Sequence, residues 1–451
     1  MYNKIKHIHL IGIGGIGMSG LGQLLAQDGY RVTGSDAGRG ETVRLLEAQG
    51  IHVFLGHDPS HIEGAELVVY SSAISPQNPE RVAAAQKDIL TIPRAEMLAE
   101  MMRLKYGVAI AGAHGKTTTT SMTGVVLEYA GMDPTVIVGG RVDNFGGTNA
   151  RPGDGEFMVV EADESDGSFN RLTPSIAVIT NFDREHLDHY GSLEALETAF
   201  LAFANKIPFY GLNIFCGDDP VLQRLATKVQ RRKKSYGFEA SNAYSIRKYT
   251  PAPEGSVFEV HTPTGPVTLR LRVPGRHNAL NAVAALMVAD ELGISRDKTA
   301  QALSSYRGVA RRFQHRGDKE GVRFFDDYAH HPTEIRATLA AARERFPESR
   351  VRVVFQPHRY SRLADLWSEF SECFGDCDGI AVTDVYAAGE APRDGITAAK
   401  FAEQLSTRHA GAQRVATGWD GVELWMKDAV PGDVILTLGA GDLPNVYQKL
   451  F

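Results

Sequence analysis

The chain has 451 residues, 43% hydrophobic and 23% charged, with a formal net charge of -6. That length carries roughly two to four domains with cores of their own, the apolar and charged fractions are ordinary for a soluble globular protein, and the negative balance argues against a general nucleic-acid binder while leaving room for a local basic patch. Three cysteines, Cys216, Cys373 and Cys377, make no zinc or redox spacing and suit a reducing cytosol, and no apolar run reaches the length of a membrane span.

The N-terminal stretch to Ala26 is apolar after a basic start, but its glycine density and His7 and His9 set it apart from a secretory leader. It parses as a strand from Ile8 to Ile11, a glycine turn and a helix ending near Gly29. The turn, Gly12-Ile13-Gly14-Gly15-Ile16-Gly17, is a G-x-G-x-x-G, and a second strand from Arg31 to Thr33 delivers Ser35 and Asp36 at its end. This spacing fits a doubly wound, Rossmann-like unit whose glycines let a backbone approach a pyrophosphate. Alone it does not separate NAD, FAD and UDP, and Asp36 suits either a ribose or a base. A third strand, Leu67 to Tyr70, ends at Ser71-Ser72-Ala73, where strand ends line the ligand crevice of such sheets.

Pro93 to Lys105 reads as a helix and connector, which puts a first domain at 1–106. From Val108 the chain runs Val-Ala-Ile-Ala-Gly-Ala-His-Gly-Lys-Thr-Thr-Thr-Thr to Thr120: a short apolar strand, a turn, and a helix with Met122, Val125, Val126 and Tyr129 as its apolar residues. Such a turn offers backbone N–H groups and the positive helix end to an anion. Lys116 adds a point charge for β and γ phosphates and Thr117 a hydroxyl for Mg²⁺. The motif is incomplete, since the full G-x-x-x-x-G-K-[ST] pattern wants glycine where Ile110 stands; Gly112, Gly115, Lys116 and Thr117 remain. Four consecutive threonines form helix poorly and are better explained by a task for their hydroxyls.

Val136 to Val138 reads as a strand leading into a glycine-rich loop, Gly139 to Asn149, expected to be mobile. Phe157 to Val160 is an apolar strand followed by Glu161-Ala162-Asp163-Glu164-Ser165-Asp166. Acids so dense repel one another unless cations or hydrogen bonds answer them. A solvated loop is one reading; placed after a buried strand in a phosphate-binding domain, where Walker B carboxylates hold Mg²⁺, they assign Glu161 to the metal. A further strand, Ile176 to Thr180, leads to Asn181-Phe182-Asp183-Arg184-Glu185-His186, in which His186 is a metal ligand or a general base. Ser192 opens a helix carrying Leu193, Leu196, Phe200 and Phe203. Tyr236 to Val273 suggests a small antiparallel patch. Arg276-His277-Asn278-Ala279-Leu280-Asn281 begins an alanine-rich helix, and Asn278 either caps it or meets adenine.

Ala310-Arg311-Arg312-Phe313 is a basic connector, giving domains at 107–312 and 313–451. Strands at Arg323 to Phe325, Val351 to Phe355, Ile380 to Thr383 and Val434 to Leu438 follow, interspersed with helices. Asp326-Asp327-Tyr328-Ala329-His330-His331-Pro332 precedes one helix, with Pro332 in its first turn. Gln356-Pro357-His358-Arg359-Tyr360-Ser361-Arg362 precedes another, with Leu363, Leu366, Phe370 and Phe374 on its apolar face. Two arginines at a helix N-terminus oppose the macrodipole, which points to a carboxylate or phosphate matched to the guanidinium fork; a surface salt bridge is the alternative.

Together, the motifs at Gly12 to Gly20, Ala113 to Thr118, Glu161 to Asp166, Arg276 to Asn281, Asp326 to Pro332 and Gln356 to Arg362 resemble, along the whole chain, those of the UDP-N-acetylmuramate L-alanine ligases of the Mur ligase family. The resemblance implies an α/β protein of three domains: a Rossmann-like N-terminal domain for a UDP-sugar, a P-loop-type central ATPase domain, and a Rossmann-like C-terminal domain for the amino acid. It implies ATP and Mg²⁺ as cofactors and UDP-N-acetylmuramate and L-alanine as partners. The expected setting is cytoplasmic peptidoglycan precursor synthesis by a monomer or weak homodimer, with no nucleic acid and no membrane insertion.

By position in that family, Gly12, Gly14, Gly15, Ile16, Gly17, Ser35, Asp36, Ser71, Ser72 and Ala73 would hold the UDP end, and His114 would touch the sugar. Gly112, Ala113, His114, Gly115, Lys116, Thr117 and Thr118 would cradle the ATP phosphates, with Asn278 at adenine and Arg312 and Asp327 near the nucleotide. Thr117 and Glu161 resemble ligands of a first metal and His186 that of a second. Tyr328, His330, Arg359 and Arg362 would form the alanine side, the arginines offsetting carboxylate and transition-state charge. Lys116, Glu161, His186, His330, Arg359 and Arg362 carry the catalytic expectation.

Where the family usually has Asp-His, this chain has Glu185-His186, which leaves the role of Glu185 open. Sister ligases of later steps use a carbamylated lysine on the following helix, and Leu193 to Asn205 contains no lysine, in agreement with alanine addition. A murein-tripeptide-recycling ligase is the nearer alternative. An NAD-dependent oxidoreductase would explain the first glycine turn and leave Lys116, Glu161 and Arg362 without a task.

Overall fold

Three sheets organise the residues that the computed structural model describes, 5–252, 254–409 and 411–451. Strands β1 (His7–Ile11), β2 (Arg31–Asp36), β3 (His52–Leu55), β4 (Leu67–Tyr70) and β5 (Leu90–Pro93) form a parallel sheet in the order β3-β2-β1-β4-β5. Its central strands are near-continuous apolar runs because both faces are covered: Ile8, Leu10, Ile11, Val68 and Val69 are fully buried. The covering helices are α1 (Ile16–Gln27), α2 (Glu41–Ala48), α3 (Pro79–Gln86) and α4 (Arg94–Met102). Gly29, at φ +86, takes the left-handed conformation that closes α1.

The second sheet contains β6 (Tyr106–Ala111), β7 (Thr135–Val142), β8 (Thr148–Arg151), β9 (Phe157–Glu161), β10 (Ile176–Ile179), β11 (Leu212–Cys216), β12 (Lys233–Gly237), β13 (Tyr244–Ala252), β14 (Gly255–Thr262) and β15 (Gly265–Leu271). Their order is β15-β14-β13-β12-β11-β10-β6-β9-β7-β8. The helices are α5 (Lys116–Tyr129), α6 (Leu187–Tyr190), α7 (Leu193–Asn205), α8 (Pro220–Lys228), α9 (Arg276–Glu291) and α10 (Arg296–Ser305). β6 runs parallel between β10 and β9. The C-terminal ends of these three neighbours, leading to Gly112, Glu161 and Thr180, therefore share the edge of the sheet where α/β proteins bind ligands.

Two expectations are corrected here. Gly139 to Asn149 is no free loop: β7 continues to Val142, a 3₁₀ turn spans Asp143–Phe145, and β8 returns antiparallel. Asn144 pins the turn, accepting from Arg307 N at 2.8 Å and donating to Ser305 O at 3.2 Å. The Tyr236 to Val273 region, expected as a small antiparallel patch, continues the ten-stranded sheet as β12 to β15, and β12 pairs with β13 in parallel. Asp218 turns the intervening chain by accepting from Phe238 N, Glu239 N and Asn242 Nδ2.

The third sheet comprises β16 (Gln314–Lys319), β17 (Val322–Asp327), β18 (Val351–Phe355), β19 (Gly379–Val382), β20 (Ala412–Arg414) and β21 (Val434–Leu438), ordered β16-β17-β21-β18-β19-β20. It is parallel except for the β16–β17 pair. Helices α11 (Pro332–Arg345), α12 (Tyr360–Asp365), α13 (Trp367–Ser371), α14 (Ala398–Ser406), α15 (Gly418–Met426) and α16 (Tyr447–Leu450) complete it. The single helix expected after Arg359 is broken in two at Leu366, whose φ of -119 leaves the helical range. α12 has six residues, with Arg359 at its N-cap and Arg362 third, so both arginines lie within the first turn as the sequence led one to expect.

The residues form two compact units, Met1–Arg247 with Glu259–Leu269 and Leu280–Arg307, and Lys248–Phe258 with Arg270–Ala279 and Gly308–Phe451. In the first, α1 lies against β7 and β8, and the Asn149 amide reaches Ile16 O. Ion pairs Arg141–Glu41 and Arg171–Glu96, both at 2.7 Å, join the same two regions.

Candidate functional site

In the first unit, the turn between β6 and α5 is shaped by two glycines with positive φ, Gly112 at +125 and Gly115 at +79. A Cβ on Gly112 would stand 2.2 Å from Thr180 Oγ1, and one on Gly115 would stand 2.7 Å from Asn281 Oδ1, so no larger residue fits either place. Asn181 clamps His114 twice, accepting from its N–H at 2.8 Å and donating to its carbonyl at 2.9 Å. The His114 imidazole meets Asp183 Oδ2 at 2.8 Å. Of the threonines that open α5, Thr117 donates to Glu161 Oε1 at 3.2 Å and Thr119 to Asn281 Oδ1 at 3.1 Å; Thr118 is buried.

Lys116 folds over its own loop, donating to Gly112 O at 2.7 Å and to Ala113 O at 3.2 Å. Its third partner is Glu164 Oε1, at 2.8 Å. Burial works against the ammonium charge, but Glu164, Asp163 and Glu161 outweigh it and hold the lysine pKa above its ordinary value. Burial pushes Glu164 up to about 7 against the pull of Lys116. Glu164 is 2% exposed, and among the described residues its Oε2 has no hydrogen-bond partner. Glu161 is oriented by Thr117 and by Gly139 N, which donates to Oε2 at 2.8 Å.

His186, at φ +57, begins α6 and brings Nε2 to 3.7 Å from Glu164 Oε1 and 3.9 Å from Glu185 Oε2. Glu164, Glu185 and His186 each offer a ligand atom within 4.8 Å of the others. Sequence spacing singled out Glu161 and His186; it passed over Glu164 and left Glu185 open, because their convergence depends on β9 and β10 flanking β6.

In the five-stranded part of the same unit, Ser35 O accepts from both Gly12 N and Ile13 N, at 2.8 and 3.0 Å. Asp36 Oδ2 accepts from Gly14 N at 2.9 Å and Oδ1 from Gly38 N at 3.1 Å, so this carboxylate latches the turn. Gly15 caps α1, Ile16 is exposed, and the Arg94 guanidinium lies over Gly17, 3.2 Å from where a Cβ would be. Ser71 is partly buried, while Ser72 and Ala73 are exposed at the end of β4. The Ser35 side chain is fully buried and donates to Glu80, so Ser35 reaches the glycine turn through its backbone carbonyl.

The second unit gathers a separate set. Asp327 accepts from Phe313 N and Ala329 N, each at 2.7 Å, and burial, opposed by Arg312, pushes it up to about 6. Arg312 approaches Glu334 at 3.5 Å, and both Arg311 and Arg312 face the Tyr328 ring. His330 Nδ1 lies 3.0 Å from Tyr328 O, and its ring meets His358 edge-on. Arg362 Nη1 lies 3.2 Å from His358 Nδ1, whose ring stacks on Tyr386. Arg359 is exposed, with φ +69, and its N–H donates to Tyr386 O at 2.9 Å. Asn278, the third residue of α9, donates its side-chain amide to Pro274 O at 2.6 Å. Sequence reasoning missed Glu334, Tyr386 and the part played by His358.

Three family profiles match successive stretches: Mur ligase family, catalytic domain, at residues 7–106; Mur ligase middle domain at 110–289; and Mur ligase, glutamate ligase domain, at 311–441. The UDP-N-acetylmuramate--L-alanine ligase of Solibacter usitatus is 49% identical over 452 residues, covering 100% of this chain and 96% of the relative. That of Sorangium cellulosum is 49% identical over 453 residues, covering 99% and 96%. Among solved structures, the UDP-N-acetylmuramate-alanine ligase of Thermotoga maritima superposes with a TM-score of 0.84 at 29% identity, covering 98% and 97%. A murein peptide ligase of Psychrobacter arcticus shares the fold with a TM-score of 0.73 at 24% identity, covering 99% and 98%. With a profile on each of the three sheets and relatives matching from end to end, the chain belongs to the Mur ligase family and has its three-domain α/β architecture.

Proposed function

We propose that this protein is an ATP-dependent ligase that joins L-alanine to the lactyl carboxylate of UDP-N-acetylmuramate in peptidoglycan precursor synthesis. The observation that carries the reading is a single compact unit that holds both the Gly12 to Gly17 turn at the start of α1 and the Gly112 to Thr117 turn at the start of α5, with Lys116 at the second. The substrates follow from the full-length relatives, which bear that name at 46–49% identity.

A carboxylate resists amine attack until one oxygen becomes a leaving group. The γ-phosphoryl of ATP passes to the lactyl carboxylate oxygen, and ADP departs. The alanine nitrogen then attacks the carbonyl carbon, phosphate leaves with the oxygen, and the nitrogen loses a proton as the amide forms. Lys116 neutralises phosphate charge, and its ammonium must leave Glu164 and its own loop to do so. Arg359 and Arg362 take the alanine carboxylate, with Tyr328 and His330 beside it.

The donor set fits a hard divalent cation. Glu164 carries a buried oxygen with no hydrogen-bond partner among the described residues, the Glu185 carboxylate and His186 imidazole converge on it, and the Thr117 hydroxyl meets the Glu161 carboxylate. Thr117 and Glu161 would hold one Mg²⁺ and His186 a second, and the bound ions would offset phosphate charge. Among the described residues no helix is long and apolar enough to cross a membrane; the reading places the protein in the cytoplasm as a monomer or weak homodimer.

The test is a phosphate-release assay with UDP-N-acetylmuramate, Mg²⁺ and a panel of amino acids. L-alanine gives the greatest release, together with a new amide. Equal release with L-alanyl-γ-D-glutamyl-diaminopimelate would move the assignment to the recycling ligases, and ADP without an amide would end it.

A further inference from the structure

Glu80 is a carboxylate with no exposed surface, placed in the first turn of α3 behind the cap Asn78. Four polar groups converge on it: Ser35 Oγ donates at 2.5 Å, His61 Nδ1 lies at 2.7 Å, His57 Nδ1 at 3.4 Å and His9 Nε2 at 3.7 Å. Burial raises its pKa, and His9, Ser35 and His61 more than offset this and bring it down to about 2. The cluster extends inward, since His9 Nδ1 and His7 Nε2 both meet Thr33 Oγ1, at 2.8 and 2.9 Å, and His7 Nδ1 meets Gly64 O at 2.8 Å.

A buried ionic cluster is weak evidence for stability, because removing charges from water costs about what their attraction returns. Its geometry shows what it holds. Ser35 is the pivot: its hydroxyl goes inward to Glu80, while its carbonyl goes outward and takes the N–H groups of Gly12 and Ile13. The next residue, Asp36, takes Gly14 N, and its carbonyl takes Gly56 N at the entrance to the segment carrying His57 and His61. Glu80 thereby ties the end of β2, the β3–β4 connection and the start of α3 to one point, a single residue removed from the glycine turn through Ser35. Each link has a direction, so rotation of Ser35 would carry the first two amides of the turn with it.

We propose that Glu80 is a positioning residue for the nucleotide-diphosphate site, setting the glycine turn through the two-sided hydrogen bonding of Ser35. This rests on the reading that the turn takes the diphosphate of the UDP-sugar. Glu80 touches no substrate; it acts through backbone, which separates it from the cradle at Lys116.

The experiment compares the full-length wild type with Glu80→Gln, Ser35→Ala and the double variant, titrating each calorimetrically with UDP, with UDP-N-acetylmuramate and with ATP. Loss of a buried hydrogen bond to a charged group raises the Kd for UDP and for UDP-N-acetylmuramate roughly tenfold in either single variant. The Kd for ATP stays within about twofold, and the double variant is no weaker than the worse single, because both remove one link. Ser35→Ala keeps the carbonyl and removes only the tie, so it answers the question where Glu80→Gln folds poorly. Unchanged UDP affinity, or equal losses for UDP and ATP alongside a lower Tm, would overturn the proposal while leaving the diphosphate reading intact. A wild type that binds ATP but neither uridine ligand would overturn that reading and the proposal with it.

Discussion

Glu161 occupies the space that a side chain on residue 139 would need. A Cβ on Gly139 would lie 2.6 Å from Glu161 Oε2, and the Gly139 N–H donates to that same oxygen at 2.8 Å. The carboxylate is thus aimed by β7 from one side and by the Thr117 hydroxyl from the other.

Gly139→Ala displaces this carboxylate without touching Lys116. Phosphate release falls by roughly ten- to a hundredfold, in the range for a mispositioned catalytic group. The Mg²⁺ concentration needed for half-maximal rate rises, and UDP binding is unchanged. A Mg²⁺ titration of the variant at saturating substrates checks this, and a wild-type midpoint would remove Glu161 from the cation.

Lys116→Ala abolishes turnover while UDP-sugar binding survives, because the cradle and the glycine turn are formed by different sheets. The substitution also leaves Glu164 buried without its cation, and the protein loses stability as pH rises and Glu164 must ionise. Calorimetric titration with UDP-N-acetylmuramate, alongside Tm at pH 6 and pH 8, tests both parts.

Arg362→Ala raises the apparent KM for L-alanine by roughly ten- to a hundredfold, the scale of a lost charge-assisted contact, with little change in the KM for ATP. Steady-state kinetics with alanine varied decides it; an unchanged KM would take Arg362 out of the amino-acid site.

His358 stays neutral across the working pH range. Burial first, then His330, Arg362 and Arg359, bring its pKa down to about 3. The unfolded chain takes a proton there near pH 6.5 and the folded chain does not, so between those values the unfolded state binds more protons. This contribution to stability is complete above pH 6.5 and declines as pH falls toward about 3. The His358 ring resonances show no titration between pH 5 and 8, and His358→Gln flattens the acid side of the Tm profile.

Much of the site was legible because its parts are local. A glycine turn between a strand and a helix, a G-K-T at a helix start and acids at a strand end each report on neighbours in sequence. Leu67–Tyr70 was found to the residue for the same reason, as an apolar run bounded by turn residues. The partner of Lys116 was not legible. It lies 48 residues away at Glu164, and only the parallel placement of β9 beside β6 brings the two together.

The chain's periodicity and turn chemistry thus determined the strands and helices that flank the site motifs, the α/β class and the chemical groups available, since these depend on residues within a few positions of one another. The tertiary structure alone decided where those groups point. It turned the Ser35 hydroxyl inward to Glu80, folded 139–149 into a hairpin held by Asn144, and broke the helix at Leu366. The reason is physical: sheet order and burial choose among hydrogen-bond partners distant in sequence, and local propensity carries no information about that choice.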